Sequence, residues 1–170
     1  MCKSTIKNNI MKTINLNKIE DIVNKRAYNN DIEHRMEWVR EYNGVDFIND
    51  SKATDVHASL FSLSEINVPV NWILMESESE TDYTFFQDMV QEKVKSVVYI
   101  GEHIPASLKH LIKTVDCFAE TTTLEKAVEI ALEFSNSGEV VLFSPASSSF
   151  RFYENYKKRG EDFKRIVNKL

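Results

Sequence analysis

The feature that most restricts the fold of this chain is a regular alternation of apolar runs with helix-like segments from residue 45 to the end. Each run has the length of a buried strand, and the segments between carry apolar residues at helical spacing. Such alternation produces right-handed crossovers and a parallel sheet covered on both faces. It predicts an α/β fold, a Rossmann-like three-layer sandwich with a mostly parallel sheet. The predicted parallel strands are residues 45–48, 70–75, 94–100, 115–118 and 140–143.

One further strand is predicted before this alternation begins. Residues 36–40 are strand-like, and Asn43-Gly44 separates them from the run at 45–48. Asn-Gly between two strand-like runs is the strongest short-range signal for a β-hairpin, because both residues tolerate a positive φ. The two strands of a hairpin are antiparallel. We therefore expect one antiparallel strand at the N-terminal end of the sheet.

The 170 residues are enough for one domain with a buried core. We expect residues 1–30, which are rich in Asn, Lys and Ile, to be an N-terminal extension and residues 31–170 to be the domain. The net charge of −5 argues against a nucleic-acid partner, and no apolar stretch approaches membrane-spanning length. Cys2 and Cys117 are too few for a disulfide framework and lack metal-site spacing, so we expect a cytoplasmic protein without a metal site.

Glycine is scarce, and its spacing excludes two nucleotide-binding motifs. The four glycines are Gly44, Gly101, Gly138 and Gly160. A P-loop or a dinucleotide fingerprint needs two or three glycines within about six residues, because the backbone must approach phosphate closely. No two glycines here are that close. These residues therefore do not supply the main phosphate-binding loop of a nucleotide reaction.

Two polar loops follow predicted strands at their carboxyl ends. The stretch NDSKATD (49–55) follows the strand at 45–48, and SPASSS (144–149) follows the last strand. Ligands of open α/β sheets bind outside the carboxyl ends of the strands, so we expect both loops at one edge of the sheet. Taken alone, the first loop is a helix cap through Ser51, Thr54 or Asp55. The second is either a flexible turn or a ligand contact.

Two long segments carry a resemblance to a known family. They are HRMEWVREYNGVDFINDSKATD (34–55) and VVLFSPASSSFRFYENYKKRGEDFKRIV (140–167). They resemble the C-terminal domain of the Mur ligases, and they are most similar to the branch that adds D-glutamate in peptidoglycan precursor synthesis. The resemblance implies the third of three domains. In that family the first domain holds a UDP-sugar, the second has the P-loop and the metal site, and the third closes over ATP and brings in the amino acid.

The resemblance also implies two sets of binding residues and no catalytic residue. Arg35, Asp50 and Lys52 match positions that contact ATP. An Asp can accept hydrogen bonds from a ribose hydroxyl, and Arg and Lys form charge-assisted bonds with phosphate. ATP and Mg²⁺ are implied as cofactors of the family, and we expect neither to be bound by this domain alone. The positions that hold D-glutamate are matched by Thr54, Ser149 and Tyr156.

The chain departs from the family pattern in one loop and at several single positions, which include Asp55, Ser147-Ser148, Arg151 and Tyr156. After the second parallel strand, Met75 and Glu76 replace a pair of glycines, and Ser79 replaces a lysine that binds a substrate carboxylate. The loss of this lysine removes a charge-assisted bond. The three glutamates within 76–82 are expected to repel a dicarboxylate, less strongly where solvent screens them. Arg151 stands where the family has an Asp, which is another charge reversal.

These observations favour a free-standing, diverged C-terminal domain of a D-glutamate-adding Mur ligase. Because it lacks the P-loop domain, we expect it to be inactive alone. Its expected partners are a weakly bound nucleotide or amino acid and a separate N-terminal and central Mur ligase unit. Two alternatives stay open at this point. One is a non-catalytic binding or regulatory module with a changed ligand, and the other is a fragment of a complete ligase.

Overall fold

The computed structural model describes residues 32–170, and the predicted N-terminal extension, residues 1–30, lies outside this described part. The strands are β1 (Glu37–Tyr42), β2 (Val45–Asn49), β3 (Val70–Met75), β4 (Val94–Ile100), β5 (Cys117–Thr121) and β6 (Val140–Phe143). The α-helices are α1 (Val56–Ser64), α2 (Gln87–Lys93), α3 (Ala106–Leu111), α4 (Leu124–Phe134) and α5 (Tyr156–Val167). Short 3₁₀ helices precede α2 and follow α3, at Thr84–Phe86 and Ile112–Thr114.

The strands form one mixed sheet in the order β1-β2-β6-β3-β4-β5. All neighbouring pairs are parallel except β1 and β2, which are antiparallel. The β1–β2 hairpin turns at Asn43 and Gly44, and their φ values of 53° and 79° fit a type I′ turn. The structure thus confirms a mostly parallel sheet with one antiparallel strand at its N-terminal end.

Helices cover both faces of this sheet. On one face, α1, α2 and α3 pack on the strands through a core that includes Leu63, Val90 and Leu108. On the other face, α4 and α5 pack through Val128 and Phe163. Burying both faces explains why the central strands are continuous apolar runs rather than alternating ones. The predicted three-layer α/β sandwich is confirmed.

The strand order brings three loops together at the carboxyl edge of the sheet, because β6 lies between β2 and β3. The amide of Asp50 donates to the carbonyl of Phe143 (2.8 Å), and the amide of Met75 donates to the carbonyl of Pro145 (3.2 Å). The prediction that the loops after β2 and β6 share one edge is therefore confirmed. We name the three loops after the strands that they follow: the β2 loop (50–55), the β3 loop (76–83) and the β6 loop (144–155).

Candidate functional site

The β2 and β6 loops are held together by a buried arginine from helix α5. Arg159 has no exposed surface. Its Nε donates to Ser51 Oγ (3.0 Å), and its Nη2 donates to the carbonyl of Ser51 (2.8 Å). Its Nη1 donates to the carbonyls of Ser147 (3.0 Å) and Ser148 (3.3 Å). A planar guanidinium can bond several acceptors at once, so this single side chain fixes the relative position of the two loops.

Asp50, the first residue of the β2 loop, is buried close to this arginine. Its Oδ1 accepts a hydrogen bond from the amide of Met36 (3.1 Å), and its Oδ2 accepts one from the hydroxyl of Ser144 (2.7 Å). Burial raises the pKa of the Asp50 carboxyl, and these hydrogen bonds, together with one from Ser62, offset part of that rise. Asp50 therefore joins the backbone before β1 to the end of β6.

Asp50 also lines a cavity of about 100 Å³ at the end of β2. Arg35 is exposed and Lys52 is half-buried, so two cations lie towards solvent while the carboxylate is buried beneath them. The structure thus brings together the three residues assigned to nucleotide binding, although Arg35 precedes β1 and the others follow β2. Helix α1 supplies part of the wall, which the sequence did not indicate. The lining residues are Arg35, Asp50, Lys52, Ala53, Ala58, Phe61 and Ser62.

The three residues assigned to the amino acid lie on the same edge in different settings. Tyr156 begins α5, its backbone carbonyl accepts a hydrogen bond from Ser51 Oγ (2.8 Å), and Lys52 Nζ lies 5.9 Å from its ring centroid. Ser149 is buried in the β6 loop, and Thr54 is exposed in the β2 loop. Tyr156 is therefore adjacent to the nucleotide set. No hydrogen bond between Thr54 and Ser149 is found within residues 32–170.

The β2 loop also caps helix α1. Asp55 has an extended backbone, and its Oδ1 accepts a hydrogen bond from the amide of Ala58 (2.9 Å), which makes it the N-cap. Ser51 bonds Arg159 instead. Helix capping therefore accounts for Asp55 alone in NDSKATD. Asp50 and Lys52 of the same stretch line the cavity instead.

Two of the positions at which the chain departs from the family pattern contact each other. Glu76 in the β3 loop is buried, and its Oε2 lies 3.2 Å from Nη2 of Arg151 in the β6 loop. The same oxygen accepts a hydrogen bond from the amide of Glu102 (2.9 Å). The expectation that all three glutamates of this loop repel an anion is therefore wrong for Glu76, because an arginine pairs with it. Only Glu78 and Glu80 are exposed.

We expect a measurable coupling between Glu76 and Arg151 in a double-mutant cycle. Glu76→Gln and Arg151→Gln should each lower the free energy of unfolding by about 1 to 2 kcal/mol, because each leaves a partly buried charge without its partner. The double variant should cost about 1 kcal/mol less than the sum. Urea denaturation followed by circular dichroism measures all three.

The exposed pair between Lys126 and Glu129 on α4 is the control for this cycle. Solvent screens both groups, so Lys126→Gln and Glu129→Gln should show no measurable coupling in the same kind of cycle. Equal coupling in the two cycles would mean that the contact between Glu76 and Arg151 has no particular role in joining the loops.

A sequence model of one protein family, described as Mur ligase, glutamate ligase domain, matches residues 34–147, more than half of the chain. The chain belongs to the Mur ligase family. It is 38% identical to the UDP-N-acetylmuramoylalanine--D-glutamate ligase of Christiangramia forsetii over 139 residues, covering 82% of this chain and 31% of that relative. It is also 38% identical to the ligase of the same name from Chlorobium limicola over 151 residues, covering 88% of this chain and 32% of that relative.

The chain spans about a third of the length of the curated Mur ligases that it matches. The family model covers all six strands of the sheet and ends within the β6 loop. A solved structure, the MurF ligase of Thermotoga maritima in complex with ADP, aligns with 81% of this chain and 32% of its own. Its TM-score is 0.49 and its sequence identity is 18%.

Residues 32–170 contain no set of side chains suited to the Mg²⁺ that the resemblance implies. No group of three or more His, Cys, Asp or Glu side chains in this range could hold a metal ion. At the cavity the single carboxylate, Asp50, has Arg35 and Lys52 beside it, whereas Mg²⁺ requires oxygen ligands and repels cations. The same range also contains no helix long and apolar enough to cross a membrane.

Proposed function

We propose that this chain is the nucleotide-closing C-terminal domain of a Mur ligase of the D-glutamate-adding kind, inactive alone. The observation that carries the proposal is the convergence of Arg35, Asp50 and Lys52 on one cavity. Arg35 and Lys52 supply charge-assisted donors for phosphate oxygens. Asp50 supplies an acceptor for a ribose hydroxyl. These roles follow from the resemblance and agree with the placement of the side chains.

The size of the cavity supports a shared nucleotide site. A volume of about 100 Å³ holds only a small part of a nucleotide, so the proposal places most of the ATP against another unit. The four glycines are too far apart to form a P-loop, so we propose that the other unit supplies it. We therefore propose a separate N-terminal and central Mur ligase unit as the partner in the cytoplasm, with ATP bound between the two and Mg²⁺ held by the residues of that unit.

The amino acid would enter beside the nucleotide set. Tyr156 and Lys52 are in ring–cation contact, and Ser149 lies in the loop that Arg159 fastens to the β2 loop. We propose Thr54, Ser149 and Tyr156 as the residues that hold it there. In the reaction proposed for the complete enzyme, the UDP-sugar carboxylate takes the γ-phosphoryl group of ATP to form an acyl phosphate and releases ADP. The amine of the amino acid then attacks the carbonyl carbon, forming the amide and releasing phosphate and a proton.

Titration of the chain with a fluorescent ATP analogue tests the nucleotide site. We expect Lys52→Ala and Arg35→Ala each to weaken binding about tenfold, because each removes one charge-assisted bond. Lys158→Ala is the matched control, since Lys158 is an exposed lysine paired with Glu161 on α5. If the control weakens binding as much as the other two, the nucleotide is held by surface charge and this assignment fails.

A complementation assay tests the role of the domain. A relative truncated to its first two thirds should make no product alone and should regain ATP-dependent ligation when this chain is added. Lys52→Ala should reduce the recovered rate, whereas Lys158→Ala should not. Recovery that is independent of Lys52 would contradict the proposed closing role.

A further inference from the structure

The short segment before β1 has an unusual backbone at two of its residues. His34 and Met36 have φ values of 65° and 47°, in the left-handed region that residues other than glycine rarely adopt. Both side chains are buried, whereas Arg35 between them is exposed and lines the cavity at Asp50. Such a backbone persists only where the surrounding contacts hold it in place. The position of Arg35 therefore depends on what holds its two neighbours.

Hydrogen bonds join this segment to the β2 loop on both sides of Arg35. The amide of Lys52 donates to the carbonyl of His34 (2.9 Å). The amide of Met36 donates to Asp50 Oδ1 (3.1 Å). The backbone positions of Arg35 and Lys52 are therefore coupled, and a shift of His34 would move both cations of the cavity.

The His34 ring is held by Asn49, the last residue of β2. Asn49 Nδ2 lies 3.0 Å from Nδ1 of the ring. The orientation of the Asn49 amide is fixed by two other partners, because its Oδ1 accepts from the amide of Ser51 (3.2 Å) and its Nδ2 donates to Glu37 Oε2 (3.0 Å). An amide nitrogen can only donate, so Nδ1 of His34 must be an acceptor and the ring proton must lie on Nε2.

The charges around the ring agree with a neutral form. Glu33 Oε1 lies 3.8 Å from Nε2 and Glu37 Oε2 lies 3.7 Å from Nδ1, and both glutamates are paired with Lys164 of α5. Burial and the charge of Lys164 lower the pKa of His34, while Glu33, Glu37 and Glu161 offset part of that fall. The ring is therefore neutral at neutral pH and can accept a hydrogen bond.

The same ring also supports the side chain of the second cation. Its centroid lies 6.2 Å from that of the Tyr156 ring, and the two planes are inclined by 79°, which is an edge-on contact. Lys52 Nζ lies 5.9 Å from the centroid of Tyr156. His34 thus contacts Lys52 through its carbonyl and supports the aromatic ring beside the ammonium.

We propose that His34 is a positioning residue for nucleotide binding, whose ring accepts a hydrogen bond from Asn49 and so keeps Arg35 and Lys52 in place at the cavity. The inference rests on the proposed function, because it assumes that these two cations bind a nucleotide. His34 does not line the cavity itself and acts through the backbone that it holds. A ring that only filled space would need no acceptor at Nδ1.

¹⁵N NMR of the imidazole nitrogens tests the state of the ring directly. In the chain at neutral pH we expect the neutral tautomer with its proton on Nε2, since this form leaves Nδ1 free to accept from Asn49. A proton on Nδ1 would overturn the proposal, whether the ring is neutral or charged, because that nitrogen would then face the Asn49 amide as a second donor.

Two substitutions separate the acceptor from the backbone conformation. Asparagine tolerates a positive φ and its Oδ1 can replace Nδ1, so His34→Asn should bind the fluorescent ATP analogue within about twofold of the unsubstituted chain. Glycine also permits this φ but has no acceptor, so His34→Gly should bind about fivefold more weakly, because both cations are then held loosely. Equal affinities of the two variants would overturn the proposal.

Val128→Ala is the control for a general loss of stability, since Val128 is a core residue of α4. It should lower the urea midpoint, as His34→Gly does, but leave the affinity of the folded chain unchanged. Equal losses of affinity in these two variants would contradict a positioning role. Lys52→Ala separates the two proposals: if it weakens binding and His34→Gly does not, the proposed function stands and this inference alone fails. If the unsubstituted chain does not bind the analogue, both fail.

Discussion

Replacing Arg159 by leucine is expected to lower the free energy of unfolding by about 3 to 5 kcal/mol. The guanidinium is fully buried and donates to the Ser51 hydroxyl and to carbonyls of Ser51, Ser147 and Ser148. Leucine fills much of the volume but donates no hydrogen bond, so these acceptors are left unpaired in the interior. Urea denaturation of both proteins gives the difference directly.

A second arginine of the same helix is the control for this exchange. Arg165 is half exposed and pairs with Asp162 one turn away, so Arg165→Leu should leave the denaturation midpoint nearly unchanged. Arg159→Lys should fall between the two, because one ammonium keeps the charge but cannot reach all the acceptors. Equal losses for Arg159→Leu and Arg165→Leu would show that the buried hydrogen bonds are not what holds the loops.

The same arginine links stability to the proposed site. Arg159 fixes Ser51, and Ser51 is followed by Lys52, which lines the cavity at Asp50. A variant that folds but lets this loop move should bind the ATP analogue more weakly, although Arg159 does not line the cavity. In Arg159→Lys, which should still fold, the loss of unfolding free energy and the loss of affinity for the ATP analogue can be measured separately.

The sheet was predictable because its signals are local. Strand length, helical spacing and the Asn43-Gly44 turn each involve a few neighbouring residues, and handedness rules then restrict how parallel strands connect. The position of the β2 and β6 loops at one edge followed from the same rules. The resemblance then named Arg35, Asp50 and Lys52, which the structure brings together at one cavity.

The contacts that hold the loops were not predictable, because they join residues far apart in the chain. Arg159 lies in a helix with many charged residues, and the sequence does not indicate which of them is buried. Glu76 and Arg151 could be recognised as two departures from the family, but their pairing depends on β3 and β6 being neighbours. The sequence therefore predicts a β3 loop whose glutamates all repel an anion, whereas Glu76 is paired with Arg151.

A contact between the beginning and the end of the domain was also not predictable from the sequence. His34 is buried with a φ of 65°, and its Nδ1 lies 3.0 Å from Nδ2 of Asn49. Gly160, next to Arg159, packs against this ring. A Cβ added at Gly160 would overlap the ring and lie 2.9 Å from its Cγ. Glycine is therefore required in the middle of α5 despite its low helix propensity.

Gly160→Ala is expected to lower the free energy of unfolding by about 2 kcal/mol, because overpacking outweighs the gain of about 1 kcal/mol in helix propensity. His34→Ala removes the ring and should also destabilise the protein, through a cavity and a lost hydrogen bond with Asn49. In the double variant the methyl group added at Gly160 has room, so adding Gly160→Ala to His34→Ala should cost nothing or stabilise. If the losses of unfolding free energy in the two single variants add up in the double variant, the glycine is needed for the backbone of α5 and not to make room for the His34 ring. Thermal and urea unfolding measure these losses. Rescue would show that the His34 ring and the helix bearing Arg159 pack as one unit.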